Sequence, residues 1–414
     1  MRILHLIQRF PPAIGGAEAW CEGVARYFAA QGHSVEVLSL RVADEAGLWD
    51  DINPLGQVAV GSADLYPGLR VRRCPPSDTP WSLVRLLEIM GAQVGGRYSA
   101  ELFGRVLRVA RRVDVIHLHH HFVPLSFWGL AVARLVRRPV VITPHLHSGD
   151  PVNEQRLGWW LLRRCGAVIA VTPYEAELHV RSGVMSERVV VASNAVDLRR
   201  FDCESGRVLR AQVRARWGLR SGTRVVTFLG RKRQAKDISV LVEAVRRAAR
   251  RNALVLVLVG PQYDWDRSSL TGLDPGELRV IDVPAIPEET KVAVLAASDI
   301  VVQPSWQEAF GIVFLEAWAS RVPVIGAAWG PIPGVLADEG LTFRRGDVAD
   351  LEAKLGWLLT HPEDAQAMAE RGRKRVAREH TWERVGLAVE KAYGIALRGR
   401  KRRDPGAGDL SFLR

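Results

Sequence analysis

The chain has 414 residues, 48% hydrophobic and 25% charged, which is enough apolar surface for two or three globular cores. Its four cysteines, Cys21, Cys74, Cys165 and Cys203, include no C-x-x-C pair, which argues against a disulfide framework or a thiolate zinc site and for a reducing compartment. The formal charge of +12 is uneven: residues 1–197 hold 21 basic and 18 acidic side chains, the rest hold 36 and 27, and RGRKRR at 398–403 supplies five of the excess. With no zinc-finger spacing and no aromatic RNP-like strand, no nucleic acid is expected as a partner, whereas anionic small molecules and anionic lipid suit the charge. The opening MRILHLIQRFPP breaks its short apolar run at His5 and Gln8 and does not read as a signal peptide. No apolar stretch approaches the roughly 18 residues of a membrane span, so the expected location is the cytoplasm.

Short β-rich runs alternate with amphipathic stretches almost throughout. RILHLI (2–7) leads through a Gly-rich turn to a helix ending near Ala30, and SVEVLSL (34–40) reads as the next strand. After an irregular insertion at 41–69, strands are expected at 113–119, 139–143 and 167–172. The polar stretch SNAVDLRRFDCESG (193–206) is taken as a domain junction. The rhythm then restarts with strands at 223–230, 253–260, 278–282, 298–303 and 322–326, and with a helix at 237–250. Helical patterns at 347–360, 362–377 and 381–397 follow. Apolar strands separated by helices imply parallel sheets covered on both faces, hence an α/β chain of two tandem doubly wound, Rossmann-like domains facing across a cleft. The expected boundaries are 1–197, 198–397 with the C-terminal helices, and a basic, disordered tail at 398–414.

Three segments carry chemistry. In QPSWQEAFGIVFLEAWASRVPVI (303–325) a strand runs into a loop and Gly311 opens a helix, aiming free backbone N–H groups at the carboxyl edge of the sheet, where a phosphate can bind. Glu308 in the loop and Glu316 in the helix then suit hydroxyls on either side of that phosphate, Glu316 a vicinal ribose pair and Glu308 a sugar. FLGRKRQAKD (228–237) ends a strand with Arg231 and Lys236, cations able to bind a diphosphate and neutralise it as it leaves. PPAIGGAEAW (11–20) puts Gly15 and Gly16 at a helix start, without the full G-x-G-x-x-G pattern, and suits a backbone loop over a phosphate.

Together with TPH (143–145) and SNAVD (193–197), these segments resemble the retaining glycosyltransferases of family 4, the group 1 glycosyl transferases of GT-B fold, over roughly residues 1–395. The resemblance implies a nucleotide-diphosphate-sugar donor in the second domain and an acceptor on the first. It assigns Arg231 and Lys236 to the diphosphate, Glu308 to the donor sugar and Glu316 to the ribose. The amides of Phe310, Gly311 and Ile312 would hold phosphate or sugar oxygens, and His145 matches the histidine that reaches the transferred sugar. Three positions depart from the pattern: Ala195 and Asp237 stand where glycine is usual, and Gly334 where glutamate is frequent.

The expected activity is transfer of a hexose-like sugar to a hydroxyl acceptor, retaining and metal-independent, with no cofactor. The arginine-rich, lysine-poor composition suits bacterial envelope or polysaccharide synthesis. A nucleotide-sugar epimerase and a non-catalytic sugar-nucleotide-binding protein are the alternatives on the same architecture. DWD (264–266) matches a metal-binding D-x-D by coincidence, and HLHHHF (117–122), with His117, His119 and His121 on one strand face, reads as a cleft-lining polar cluster rather than a metal site. Acceptor contacts are expected from loops 11–18, 74–100 and 144–158. Arg105, Arg108 and Arg112, with Trp159-Trp160 beside Arg163-Arg164, suit a lipid-linked or glycan acceptor met at the inner face of the plasma membrane, with its anionic surface as a partner.

Overall fold

The computed structural model describes residues 1–42, 63–77, 98–150, 153–201, 203–271, 273–274 and 276–403. The chain divides into two compact units: Met1–Ser193 with the chain from Trp382 onward, and Asn194–Thr381.

The first unit is built on an eight-stranded sheet. Its strands are β1 (Arg2–Leu6), β2 (Ser34–Leu40), β3 (Ala63–Tyr66), β4 (Leu69–Cys74), β5 (Val115–His119), β6 (Val140–Thr143), β7 (Ala167–Ala170) and β8 (Val189–Val191), ordered β3-β4-β2-β1-β5-β6-β7-β8. Every pairing is parallel except β3 with β4. VVIT and AVIA are buried at every position, as strands covered by helices on both faces must be. Helices α1 (Gly16–Ala30), α2 (Ala100–Ala110), α3 (Pro124–Leu135), α4 (Arg156–Arg164) and α5 (Pro173–Arg181) join them. Ser99 and Thr172 cap α2 and α5 by accepting from Leu102 N at 3.2 Å and Glu175 N at 3.1 Å, and proline opens α3 and α5, where its missing N–H costs nothing.

The second unit holds six parallel strands: β9 (Arg224–Leu229), β10 (Leu254–Val259), β11 (Arg279–Val283), β12 (Ile300–Gln303), β13 (Val324–Ala327) and β14 (Leu341–Phe343), ordered β11-β10-β9-β12-β13-β14. Its helices are α6 (Cys203–Arg216), α7 (Ile238–Ala249), α8 (Glu288–Ala297), α9 (Ile312–Ala319), α10 (Ile332–Leu336), α11 (Val348–Thr360) and α12 (Pro362–Glu379). Part of the basic excess is structural here. Asp299, just before β12, accepts from Arg210 at 2.7 Å, Arg214 at 3.1 Å and Val225 N at 2.7 Å, tying α6 to two strand starts.

In each sheet the chain reverses its direction of growth once. The second unit lays β9, β10 and β11 outward and then places β12 on the other side of β9; the first does the same with β1, β2 and β5. Ligands of such sheets bind beyond the strand carboxyl ends at these switch points.

The doubly wound α/β reading is borne out; the boundaries differ. The last helix, α13 (Trp382–Arg403), belongs to the first unit and not to the second, where its position in sequence put it. The reason is close packing: the Trp382 ring occupies the place a Cβ on Gly23 of α1 would take, the Tyr27 ring does the same at Gly386, and Tyr393 reaches His117 Nδ1 at 2.9 Å. Helix continues to Arg403 through the segment expected as tail; 404–414 lie outside the described residues, as do 43–62 of the expected insertion and 78–97 of one expected acceptor loop. The stretch taken as the junction contains the start of α6, and the second unit begins at Asn194.

Candidate functional site

In the second unit, the loops after β9 and β12 meet at the switch point and are stitched together. Gln303 Nε2 donates to Leu229 O at 2.6 Å, Trp306 N to Ala235 O at 3.2 Å, and Lys236 Nζ to Gln307 O at 3.2 Å and to Glu308 Oε1 at 2.5 Å. Burial pulls the Lys236 ammonium below its ordinary pKa, the Glu308 carboxylate opposes this, and the nearby Arg231 and Arg233 guanidiniums add to the lowering. Arg231, half-buried, is thus close enough to Lys236 for their charges to interact.

The three basic residues after Gly230 have different duties. Lys232 is buried and committed to Asp282 and to Val283 O at 3.0 Å, so it is a tie between β9 and β11. Arg233 lies 3.8 Å from Asp264 and over the Tyr263 ring at 5.8 Å. Both carboxylates of DWD are occupied structurally: Asp264 accepts from Gln234 N at 3.0 Å, and Asp266 caps a short turn by accepting from Ser268 N at 2.9 Å.

Helix α9 starts at Ile312, with Gly311 as its N-cap in the left-handed region at φ 89°. Any Cβ there would also stand 2.7 Å from the Phe314 ring, so glycine is required twice over. Phe310 is buried edge-on to His380 at 5.6 Å, leaving its backbone rather than its ring for a ligand. Glu316 is 5% exposed and ion-pairs through Oε1 with Lys291 of α8. Lys291 was not singled out in the sequence, because nothing in a separation of 25 residues marks the pair.

The remaining expected site residues lie in the first unit. Gly15 and Gly16 stand at the start of α1 just beyond β1; a Cβ on Gly15 would meet the Glu18 carboxylate, while one on Gly16 would meet nothing within 4 Å. Glu18 is buried and pairs with Arg9 at 2.7 Å, so the helix start already holds a carboxylate with its counter-charge. His145 follows β6 at φ 53°, an uncommon conformation for a non-glycine residue.

HLHHHF is a correction. His117, His119 and His121 are fully buried, not surface-lining. His117 binds Tyr393 Oη at 2.9 Å and Thr143 Oγ1 at 2.8 Å, and His121 binds Asn153 O at 2.6 Å. His117 and His119 share a face with rings 4.7 Å apart; His121, beyond the strand end, leaves it to stack on Trp159. Burial holds His5 and His121 down to about 3 and His120 to about 4, and puts His117, His119 and His145 well below the usual histidine range, with neighbouring imidazoles adding to it. Among the described residues, the potential ligand atoms of His5, Cys21 and His119 lie within 4.8 Å of one another.

The family model described as Glycosyltransferase Family 4 matches residues 14–200, and that described as Glycosyl transferases group 1 matches residues 210–375. The chain belongs to the family 4, group 1 glycosyltransferases. Its curated relatives include the D-inositol 3-phosphate glycosyltransferase of Salinispora tropica, 28% identical over 92% of this chain and 81% of the relative. The MMP alpha-(1->4)-mannosyltransferase of Mycolicibacterium hassiacum is 26% identical over 96% of this chain and 98% of its own. Among solved structures, Anabaena Alr3699/HepE in complex with UDP-glucose matches with a TM-score of 0.73 at 18% identity, over 95% of this chain and 99% of that one. The fold of this glycosyltransferase is GT-B.

The departures from the family pattern now have physical readings. Asp237 adopts φ 48° and ψ 35°, a left-handed conformation that favours glycine and that aspartate tolerates, so the turn after Lys236 is kept. Ala195 is buried. Gly334 is exposed in α10 with nothing within 4 Å of a would-be Cβ, so the glycosyltransferase has open space where a glutamate is frequent.

Proposed function

We propose that this glycosyltransferase moves a hexose from a nucleotide-diphosphate-sugar donor to a hydroxyl of a sugar or polyol acceptor, with retention and without a metal cofactor. The donor is bound by the second unit. Arg231, Lys236 and the amides of Phe310, Gly311 and Ile312 take the diphosphate, Glu308 takes sugar hydroxyls, and Glu316 takes the ribose. His145, and the backbone at Gly15 and Gly16, contribute from the first unit. The observation that carries this reading is the stitched pair of loops at the β9/β12 switch, which sets two cations beside a carboxylate and a helix N-terminus. Such a cluster supplies what diphosphate departure needs, fixed positive charge where negative charge develops. Glu308 offsets the Lys236 ammonium before the donor arrives. The names of the relatives, an inositol-phosphate glycosyltransferase and a mannosyltransferase, agree with a polyol or sugar acceptor.

The test is a panel of uridine, guanosine and adenosine diphosphate sugars scored by thermal midpoint, since a donor that binds only the folded state raises it. The stabilising donor should then release nucleoside diphosphate only when acceptor is present, and equally well in excess chelator. Epimer formed without acceptor would make the protein an epimerase. Complete loss of activity in chelator would overturn the metal-independent reading.

A further inference from the structure

Three of the buried histidines around the β1/β5 switch form a line. His5 Nδ1 meets His119 Nε2 at 3.1 Å, and His119 Nδ1 meets His145 Nε2 at 3.3 Å. The rings are stacked, His5 on His119 with centroids 5.4 Å apart and His119 on His145 at 5.6 Å with planes only 14° apart. Trp20 closes the line from one side, edge-on to His119 at 5.9 Å and to His145 at 5.5 Å, with its own N–H donated to Ser193 O at 3.0 Å. Burial keeps all three imidazoles neutral at ordinary pH.

A neutral imidazole has one N–H and one bare nitrogen, so the two hydrogen bonds admit two concerted arrangements. In one, both protons point from His5 toward His145; in the other, both point back. The backward arrangement puts an N–H on His5 Nε2, which is buried and has no hydrogen-bond partner among the described residues. Orphaned buried N–H groups are rarer in folded proteins than under-satisfied acceptors, so the forward arrangement is favoured. His5 Nδ1–H then donates to His119 Nε2, His119 Nδ1–H donates to His145 Nε2, and His145 carries its own proton on Nδ1. The hydrogen bond made by one ring nitrogen decides which nitrogen is protonated, and here that bond is supplied from inside the core.

We propose that His119, held in turn by His5, is a positioning residue that fixes His145 as its Nδ1–H tautomer, so that His145 offers a hydroxyl-bearing ligand a single N–H donor in one direction. The proposal rests on the assignment of His145 to the transferred sugar. The backbone works the same way: the left-handed φ of His145 persists only where its surroundings hold it, and the stacked, hydrogen-bonded His119 is part of that hold. Cys21 Sγ lies 3.8 Å from His5 Nδ1, and a metal taken up by His5, Cys21 and His119 would consume the ring nitrogens that the relay uses. The experiment therefore separates the two.

Nitrogen NMR of histidine-labelled protein near neutral pH, with His145 identified by its loss in His145→Gln, is expected to show Nδ1 protonated and Nε2 bare. Metal analysis of the same protein should find no bound transition metal. His119→Leu should convert His145 to a tautomer mixture and lower kcat about 10–100-fold, the range known for loss of the partner that orients a metal-ligating imidazole, with the donor KM little changed. His119→Asn places an amide N–H where Nδ1–H stood and should recover most of kcat. Near-UV circular dichroism and the thermal midpoint establish that each variant is folded; if His119→Leu is not, the wild-type spectrum decides. A proton on His145 Nε2 in the wild type, or one tightly bound zinc per chain, overturns the relay. So does a folded His119→Leu with unchanged kcat beside an inactive His145→Gln, which would leave the function assignment standing. A fully active His145→Gln would instead remove His145 from that assignment, and the positioning role with it.

Discussion

Both units bring two loops together at a sheet switch point, but they furnish those points in opposite ways. At β9/β12 the side chains are charged and partly accessible: Lys236 and Glu308 keep 12% and 16% of their side-chain surface. Around β1/β5 a row of imidazoles is sealed from water and held neutral, and the charges beside it, Arg9 and Glu18, are buried and paired with each other. One topology thus serves two electrostatic tasks. A rim of fixed cations beside a helix N-terminus suits an anion, whereas neutral stacked rings present directed hydrogen bonds without attracting one. The difference begins within the strands of the first sheet, since His5 lies in β1 and His117 and His119 in β5, whereas Lys236 and Glu308 stand in the loops after β9 and β12.

The largest effects should come from breaking the charged switch. Arg231→Ala and Lys236→Ala are each expected to lower kcat about 10²–10³-fold, the magnitude found when a preorganised group that stabilises developing charge is removed. Glu316→Gln should weaken donor binding by about 1.5–3 kcal/mol through loss of charge-assisted hydrogen bonds, and the Lys291 ammonium would lose its counter-charge at the same time. Glu308→Gln should act on turnover more than on binding, since sugar positioning matters most as the glycosidic bond breaks. Steady-state kinetics and donor titrations check all four. Wild-type values for both glutamate variants would reduce those carboxylates to helix and loop decoration.

Much of this architecture could be read in advance from uniform apolar runs such as VVIT, AVIA and LVLVLV, which have no other stable place than a covered parallel sheet. β4 was not expected because LRVRRC interleaves arginines, and β8 and β14 because three residues give no period. The host of α13 could not be read at all: it depends on Gly23 and Gly386 leaving room for Trp382 and Tyr27, a fit between segments more than 350 residues apart in the chain. Loop cations were legible as types but not as duties. Lys232 looks like Lys236 in sequence, yet it is a strand tie because Asp282 lies beside it. The histidine run was noticed and misplaced, since alternation gives a face but not whether helices cover it.

A smaller effect follows from the sealed imidazoles. An ordinary histidine titrates near 6.5, while His5 and His121 are held to about 3 and His120 to about 4, so between these values the unfolded chain binds more protons than the folded one. Their stabilising contribution is complete above 6.5 and is lost as pH falls toward the folded values, each group removing about 1.4 kcal/mol per pH unit. Among the described histidines of the second unit, His380 is held down in the same way, to about 4. The first unit should therefore open first on acidification, seen as earlier loss of amide protection in β1 and β5 than in β9 and β12. Earlier loss in the second unit would contradict the contrast.

The last expected effect concerns the outer surface of the first unit, away from either switch. Arg105, expected to face lipid, is tied to Glu101 at 2.8 Å, and Trp159 is packed against His121 and His179. The exposed basic surface lies instead where the last turns of α2, α3 and α4 converge, linked by Arg138 Nη2 to Arg111 O at 2.7 Å and Arg134 Nη2 to Arg164 O at 3.2 Å. Arg108, Arg111, Arg112, Arg134, Arg137 and Arg164 are exposed there, with Leu135 at 71% and Trp160 at 40% exposure among them. None of the described helices is long and apolar enough to cross a membrane. Basic side chains at an anionic bilayer contribute about 1 kcal/mol each, and an exposed leucine and tryptophan add apolar contact. Arg111, Arg112 and Arg137 changed together to Gln should weaken salt-sensitive recovery on anionic vesicles by roughly 10²-fold, about 1 kcal/mol for each charge, while Arg105→Gln should change it little. Equal recovery on neutral and anionic vesicles, or none on either, would mean that these arginines are only solvated and that the acceptor is met in water.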